Sequence, residues 1–199
     1  MKSEILKLLN VKRGWIYESI LSFSINGKAK VMPMGFFTDD MENIGISIYK
    51  TSKILEDLLS KEIFVINLTS DVKFFYQSIF ERDKLKFLST KSNEPYIDGV
   101  DGYLELKLDR VVETADKKIL ISEIKDYELF SKDTRLINRA SHLSLEALIL
   151  VTKLPYLSLE AKEWALKSLN EYERIVKKVA PNSEYGKIVD ALRKFSKTI

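Results

Sequence analysis

The dipeptide Asn26-Gly27 is the feature that most restricts how this chain folds. It stands between two runs of aromatic and aliphatic side chains, Trp15 to Ser24 and Ala29 to Phe37. A two-residue hairpin turn needs positive φ at both central positions, and Asn followed by Gly adopts that conformation readily. The sequence therefore predicts an antiparallel hairpin, and with it an N-terminal region built on β-structure.

Four more strand-like runs follow the hairpin, at Ile44 to Tyr49, Phe64 to Leu68, Gly102 to Val112 and Lys117 to Ile124. The first two lead through a Thr-Ser pair into short helical patterns, Ile54 to Leu59 and Val72 to Phe80, as a strand passes into a capped helix. The polar stretch Lys84 to Asp101 is interpreted as a loop because it contains Asn, Pro and glycine-bearing turns. Six strands with short helices between them favour a six-stranded antiparallel barrel over a doubly wound sheet.

From Thr134 onward the pattern is helical. Apolar residues recur at spacings of three and four, as on one face of a helix: Leu136, Ala140, Leu143, Ala147, Leu150 and Leu154. Pro155 ends that helix, Ser158 is placed to cap the next, and Pro181 precedes a third. We therefore expect an α+β protein, with a barrel over residues 1–130 and an all-helical subdomain over residues 131–199. Because no long linker separates them, the subdomain is expected to pack on the barrel.

The composition excludes several kinds of site. The chain has no cysteine and a single histidine, His142, which rules out thiolate chemistry and any multi-histidine metal site within one chain. No apolar run approaches the ~20 residues of a transmembrane helix, and the first ten residues lack the apolar core of a signal peptide. These patterns favour a cytoplasmic protein with no membrane partner and no metal. Its 32 basic and 29 acidic residues are interspersed, so we expect no nucleic-acid partner, although the lysine-rich C-terminal helices keep that alternative open.

The segment Lys50-Thr51-Ser52-Lys53 is the most informative local signal. The start of a helix carries unpaired backbone N–H groups and partial positive charge, which suit a phosphate, and here two hydroxyls and two ammonium groups surround it. An ordinary capped helix with surface lysines would show the same pattern. In the sister segment Thr69-Ser70-Asp71, the carboxylate of Asp71 would complement the helix dipole and repel a phosphate.

Two further features have a functional and a structural interpretation. Pro33-Met34-Gly35-Phe36 interrupts a strand, which indicates either a place where a planar ligand approaches the backbone or a bend in a barrel. His142 lies on a polar helix face with Arg139, Glu146 and Lys153, where it could act as a general acid or base or simply pair with Glu146 on a solvated face.

Taken in order, these segments resemble an uncharacterised prokaryotic family, mainly archaeal, whose members have the FMN-binding split-barrel fold. The first signature comprises Glu18, then Pro33-Met34-Gly35, then Tyr49-Lys50-Thr51-Ser52, then Val65 to Asp71. The second comprises Asn138-Arg139-Ala140 followed by Leu145 to Ile149 and Val151 to Leu154. The two signatures together span about Gly14 to Leu154, with Lys153 standing where the family tends to have Arg.

The resemblance implies a split barrel related to flavin reductases and pyridoxamine-phosphate oxidases, with a helical subdomain. It also implies a homodimer that binds FMN near the subunit interface. It places the backbone of Met34, Gly35 and Phe36 near the isoalloxazine ring. Around the ribityl phosphate and its groove it places Tyr49, Lys50, Thr51, Ser52, Lys53, Asn67 and Thr69, with Arg139 approaching from the helical part.

The function expected from this resemblance is that of a flavin-dependent oxidoreductase, which passes hydride from NAD(P)H through flavin N5 to an unknown small-molecule acceptor. No Gly-x-Gly-x-x-Gly fingerprint is present, so a nicotinamide would bind transiently against the flavin rather than on a Rossmann domain. The alternative is a module that binds, carries or senses FMN without turnover. The residues point to no particular catalytic side chain.

Overall fold

The computed structural model describes residues 2–196, and it divides the chain into two compact units. The first comprises Met1–Arg13 with Tyr17–Ile137, and the second comprises Gly14–Ile16 with Asn138–Ile199. The first unit holds helix α1 (Lys2–Leu8), α2 (Ile54–Leu59) and α3 (Val72–Phe80) together with all the strands. These are β1 (Tyr17–Ile25), β2 (Lys28–Phe37), β3 (Asn43–Tyr49), β4 (Ile63–Leu68), β5 (Phe87–Ser89), β6 (Pro95–Ile97), β7 (Gly102–Glu113) and β8 (Lys117–Leu129).

Six strands form a closed antiparallel barrel in the order β1-β2-β3-β8-β7-β4, which confirms the predicted fold class. The hairpin turn between β1 and β2 is the predicted one, since Asn26 and Gly27 have φ values of 51° and 73°. Side chains of every barrel strand are fully buried in the first unit, among them Leu21, Phe36, Ile46, Phe64, Leu106 and Leu120. Their burial supplies the main driving force for closing the barrel.

The segment interpreted as a loop, residues 84–101, has structure of its own. A short 3₁₀ turn, Arg82–Lys84, leads into the two-stranded sheet β5-β6. Ile97 and Val100 from this segment pack with Ile20 and Val31 of the first hairpin in a second apolar cluster. The loop prediction is therefore wrong for this segment, because a three-residue strand is too short to show an alternating pattern. We call residues 84–101 the cover segment.

The second unit contains helices α4 (Arg139–Lys153), α5 (Leu159–Val179) and α6 (Glu184–Ser196). Ser158 caps α5 as predicted, since its Oγ accepts a hydrogen bond from Ala161 N at 3.3 Å. Helix α4 begins five residues later than the first helical residue predicted, because Asn138 caps it by accepting from Ala140 N at 2.9 Å. Trp15, expected in the first strand, instead packs on Tyr185 of this unit with ring centroids 5.9 Å apart.

Candidate functional site

In the barrel, β2 and β3 pair with each other over only a short part of their length. Strand β2 pairs with β1 from Lys28 to Phe36, whereas its ladder with β3 consists of only two pairs, Phe36 with Ile46 and Phe37 with Gly45. Continued in the same register, the ladder would join Met34 to Ile48 and Pro33 to Tyr49. Pro33 lacks the N–H group that such a ladder would use. The pairing of β2 with β3 therefore stops at the two segments singled out in the sequence, around Met34 and around Tyr49. We call the gap between these segments the split, and its two edges the β2 lip and the β3 lip.

A close contact fixes the last rung of this ladder. A Cβ atom on Gly45 would lie 2.5 Å from the ring of Phe37, so only glycine allows the ring to lie across β3 at this position. Beyond the split, Lys30 of β2 and Asp57 of α2 approach each other at 3.9 Å. The split is thus bounded by β2 and β3 and spanned by an ion pair to α2.

The β2 lip presents backbone rather than polar side chains. Met34 and Gly35 are half-buried, and the carbonyl of Met34 accepts a hydrogen bond from Ser19 Oγ at 2.8 Å. The side chain of Phe36 is fully buried and packs on Tyr17, with ring centroids 5.8 Å apart. Because its side chain is buried, only the main chain of Phe36 is accessible to a ligand on this strand.

The β3 lip continues into residues 50–53, which are polar. Tyr49 is 55% exposed, and its carbonyl accepts from Ser52 N at 2.9 Å, so the segment forms a tight turn before α2. Lys50, Thr51 and Lys53 are exposed and Ser52 is half-buried. The hydroxyls and ammonium groups proposed for a phosphate therefore lie at the surface beside the split.

Capping at this turn differs from the prediction. The N-cap of α2 is Lys53, with no side-chain capping hydrogen bond, and the six-residue helix carries Glu56 and Asp57 in its first turn. Backbone N–H groups and a helix dipole are thus a weaker argument for a phosphate here than the side chains are. In the sister segment, Asp71 stands at the start of α3, where its carboxylate was expected to complement the helix dipole, and it caps the helix by accepting from Lys73 N at 2.8 Å.

Asn67 and Thr69 lie inside the wall of the barrel. Asn67 is fully buried, and its amide donates to Ile20 O and to Ser22 Oγ, both at 2.8 Å, while Oδ1 accepts from Ile97 N at 2.7 Å. Thr69 is buried and its Oγ1 accepts from Asp71 N at 3.1 Å. Since both N–H groups of the Asn67 amide are occupied within the fold, the side chain holds the cover segment in place rather than lining an open groove.

Arg139 and His142 belong to the second unit. Arg139 is the exposed first residue of α4, directly after the cap Asn138. His142 is exposed on the same helix, and its Nδ1 lies 3.3 Å from Ser141 Oγ. Asn138 ties this unit together internally by donating to Ile16 O and to Val179 O at 2.9 and 2.8 Å.

Sequence reasoning missed the turn between β7 and β8, which contacts Lys50. Lys50 N donates to Asp116 O at 3.0 Å, and Lys50 Nζ lies 3.3 Å from Glu113 Oε2. These residues are more than sixty positions away in the sequence, so no local pattern could reveal the contact. Elsewhere among the described residues, one concavity of about 550 Å³ lies around Leu8 and Phe130, and another of about 470 Å³ lies around Pro181 and Ser183.

Within residues 2–196, no group of three or more His, Asp and Glu side chains is placed to hold a metal ion. No helix in the same range is both long enough and apolar enough to cross a membrane.

The chain was compared with known protein families, curated sequences and solved structures. Models of two domains of one family, "Protein of unknown function (DUF447)", match the chain, the N-terminal domain at residues 17–131 and the other domain at residues 138–194. No curated protein sequence matches. Among solved structures, an FMN-bound protein of the same family from Methanosarcina mazei is 17% identical with a TM-score of 0.56, and the match covers 96% of this chain and 99% of that one.

Two flavin enzymes share the barrel. The NADH:FAD oxidoreductase of Streptomyces globisporus C-1027 is 15% identical with a TM-score of 0.54, covering 61% of this chain and 74% of that one. The flavin reductase PheA2 is 17% identical with a TM-score of 0.54, covering 69% of this chain and 94% of that one. At these identities the likeness establishes the fold, which is that of the FMN-binding split barrels.

Proposed function

Since the chain belongs to the DUF447 family, we propose that it is a cytoplasmic FMN-binding flavoprotein whose site lies at the split between β2 and β3. The proposal rests on one observation: an uncharged backbone surface and a polar, positively charged surface lie on the two sides of this split. One lip is a backbone stretch with half-buried Met34 and Gly35, and the other continues into a turn rich in hydroxyls and ammonium groups. FMN has two corresponding parts, a planar ring that suits the backbone surface and a phosphate that suits the polar turn.

The residues present fit the cofactor. Lys50, Thr51, Ser52 and Lys53 offer the positive charges and O–H donors that a phosphate dianion requires. The flat main chain of Met34, Gly35 and Phe36 suits a ring, because it presents no charged side chain. We assign these residues, with Tyr49, to the cofactor site. Asn67 and Thr69 support it from within the barrel wall, and Arg139 stays a proposed cofactor contact.

The proposed activity is that of a flavin-dependent oxidoreductase. When bound, FMN would supply the hydride chemistry, taken from a reduced nicotinamide and given through N5 to a small-molecule acceptor. The protein itself has no cysteine and one histidine, so its contribution is binding, orientation and electrostatics. A related solved structure, the Streptomyces oxidoreductase in complex with NAD and FAD fragments, supports a nicotinamide as the reductant.

A second candidate is a module that carries or senses FMN without turnover. The exposure of Tyr49 and Lys50 favours it, because a cofactor held at an open surface exchanges more readily than an enclosed one. Both candidates use the same site, so only an assay separates them. Tight FMN binding with no reduction by NADH or NADPH would establish the second.

We also propose a homodimer. Helix α3, which packs against β2 through its inner face, exposes an apolar stripe in which Val72, Tyr76 and Phe80 are 69%, 52% and 69% exposed. An exposed apolar stripe is typical of a surface that another subunit covers. Light scattering should give twice the chain mass for the wild type, and half that value for a Val72→Glu/Phe80→Glu variant that keeps its far-ultraviolet spectrum. A monomeric wild type would contradict this part of the proposal.

The test of cofactor binding is an absorbance spectrum after FMN is added and the excess removed by gel filtration. Wild type should retain flavin bands near ~375 and ~450 nm, and Lys50→Ala/Ser52→Ala should retain much less. The matched control is Ser70→Ala/Lys73→Ala in the sister segment, which should bind as the wild type does. If the wild type retains no flavin while remaining folded, the proposed function is wrong.

Retained flavin then allows the activity to be tested. Oxidation of NADH or NADPH by the FMN-loaded protein, followed at 340 nm with several acceptors, should exceed the rate with free FMN. If the FMN-loaded protein oxidises neither NADH nor NADPH faster than free FMN does, the oxidoreductase proposal is wrong and the carrier or sensor candidate stands.

A further inference from the structure

The concavity of about 550 Å³ beside α1 and the end of β8 has an apolar wall and a polar edge. We call it the α1–β8 concavity. Its apolar wall is formed by Leu8, Leu9, Leu129 and Phe130, and its polar edge includes Ser131 and Lys132. Sites for small molecules have volumes of roughly 300–1,000 Å³ and combine mostly apolar walls with a few polar groups. The α1–β8 concavity therefore has the size and the lining of a small-molecule site.

This concavity is far from the proposed phosphate segment. Lys117 begins β8 and lies opposite Tyr49, whereas Leu129 ends the same 13-residue strand. A strand rises about 3.3 Å per residue, so the two places are separated by roughly 40 Å along β8. A ligand in the α1–β8 concavity would therefore not contact residues 50–53.

The ring of Phe130 is held in place by other rings and is still accessible. It stacks on Tyr96, with centroids 5.6 Å apart and planes inclined by 26°. Tyr96 stacks in turn on the buried Tyr103, with centroids 4.7 Å apart. Phe130 is nevertheless 47% exposed and lines the concavity. A ring that is already fixed by stacking loses little freedom when a further planar ring packs on it.

Hydrogen bonds fix the backbone of the polar edge. Phe130 N and Ser131 N both donate to Asp101 O, at 2.8 and 3.2 Å. Thr134 Oγ1 donates to Ser131 O at 2.8 Å. Ser131 Oγ accepts from Asp133 N at 3.2 Å, so its O–H group can still donate to a ligand. The polar edge is therefore formed before any ligand binds.

Lys132 supplies the charge of this edge. Its side chain is exposed, and within residues 2–196 it has no ion-pair or hydrogen-bond partner. The nearest carboxylate in the sequence, that of Asp133, is exposed and is not among the groups that line the concavity. An unpaired ammonium group beside an apolar wall favours a ligand that joins an anionic group to an apolar body.

We infer that the α1–β8 concavity binds a small aromatic carboxylate, with the ring on Phe130 and the carboxylate toward Lys132 and Ser131. Leu8, which is 68% exposed, would be covered by the ring, and its burial would favour binding. This site is additional to the flavin site, and the inference does not depend on the proposed function.

The probe for this site is 2-naphthoate, and 2-naphthamide has the same rings without the charge. By calorimetry the wild type should bind one 2-naphthoate per chain with a Kd below about 100 µM. Lys132→Gln should raise this Kd about threefold to tenfold and leave that of 2-naphthamide within about twofold, because only the charge contact is lost. Leu8→Gln should raise the Kd of both compounds about threefold or more, because it removes apolar wall.

The matched control exchanges the same residue types in the cover segment, as Lys86→Gln/Leu88→Gln, and should leave both Kd values unchanged. Lys132 and Leu8 are exposed, so their variants should keep the Tm of the wild type. No binding of 2-naphthoate by the wild type at about 1 mM would overturn the inference. An equal effect of Lys132→Gln on the charged and the uncharged compound, or an equal loss in the control, would overturn it as well.

A titration in the presence of saturating FMN separates this site from the flavin site. The Kd of 2-naphthoate should stay within about twofold. Displacement of bound flavin by 2-naphthoate would place the probe in the split and overturn the inference. If no flavin binds but 2-naphthoate binds with the expected variant effects, the proposed function is wrong while the inference stands. If flavin binds and 2-naphthoate does not, the inference is wrong while the proposed function stands.

Discussion

Asn67 accepts a hydrogen bond from the backbone N–H of Ile97 at 2.7 Å, and this contact joins a barrel strand to the segment that covers it. The same amide donates to Ile20 O and to Ser22 Oγ, so one side chain connects β1, β4 and β6. All of these groups are buried, where water cannot replace a missing partner.

Replacing Asn67 should therefore destabilise the protein strongly. We expect Asn67→Ala to lower the free energy of unfolding in urea by about 3 kcal/mol, because it leaves buried Ile97 N–H and Ile20 C=O groups unpaired. Asn170→Ala, which removes an exposed amide from α5, serves as control and should change stability by less than about 0.5 kcal/mol. A small effect at Asn67 would show that the cover segment finds other partners.

Gly27 should tolerate substitution poorly although it has room for a side chain. An added Cβ would meet no atom within 4 Å, so the cost of Gly27→Ala comes from its φ of 73° alone. We expect a loss of about 1 kcal/mol. Gly186→Ala is the matched control, because this helical position also has space for a methyl group and should gain up to about 0.5–1 kcal/mol. Thermal unfolding of both variants measures the opposite signs, and equal signs would contradict the explanation.

Glu94 should matter far more for stability than the exposed acidic residues of the first unit. It is buried, its Oε2 accepts from Ser24 N at 2.7 Å, and its Oε1 lies 2.8 Å from Lys61 Nζ. Glu94→Ala leaves both groups without their partner and should cost about 3 kcal/mol. Hydrogen exchange should also increase through residues 84–101. Glu81→Ala breaks the more exposed pair with Lys84 and should cost no more than about 0.5 kcal/mol; comparable losses would count against the role of burial.

Asp40 should make stability depend on pH in the acid range. Partial desolvation tends to raise the pKa of its carboxyl, but hydrogen bonds from Asn43, Glu42 and Thr38 prevail and lower it from 3.8 to about 2. Because the folded-state pKa is the lower one, the charged form favours folding above pH 4, and this contribution is lost as the pH falls from about 4 to about 2. The carboxylate is exposed, so the loss is on the order of 1 kcal/mol.

The measurement for Asp40 is urea unfolding at pH 6, 4, 3 and 2 for the wild type and Asp40→Asn. The stability difference between them should shrink toward acid pH. Asp39→Asn, at the exposed neighbouring position, should show a difference that does not change with pH. A constant difference for Asp40→Asn would show that its hydrogen bonds do not require the charge.

Some elements were predictable because their signals are local. The hairpin followed from Asn26-Gly27, the start of α3 from Asp71, and the start of α5 from Ser158. In each case, conformation and hydrogen bonding are decided by residues within three positions of one another. The resemblance to a split-barrel family added the barrel itself and the candidate cofactor segments.

Other features depend on contacts that no local pattern contains. Trp15 belongs to the helical unit because its ring packs on Tyr185, which lies far along the chain. Residues 84–101 are ordered by burial of Ile97 and Val100 against the hairpin rather than by their own propensity. Asn67 was expected in a ligand groove, whereas its hydrogen-bond partners come from two other strands, β1 and β6.

The sequence by itself determined where this chain turns, where its helices begin, and which short segments carry chemistry suited to a flavin phosphate. Only the tertiary structure decided that β2 and β3 part beside Met34 and Tyr49, and that the Glu113 carboxylate pairs with both Lys50 and Lys118. The physical reason is the separation along the chain of the residues that interact. Turn and cap preferences arise between neighbours in the chain, whereas the charges that meet at the split are brought together by the register of an antiparallel barrel.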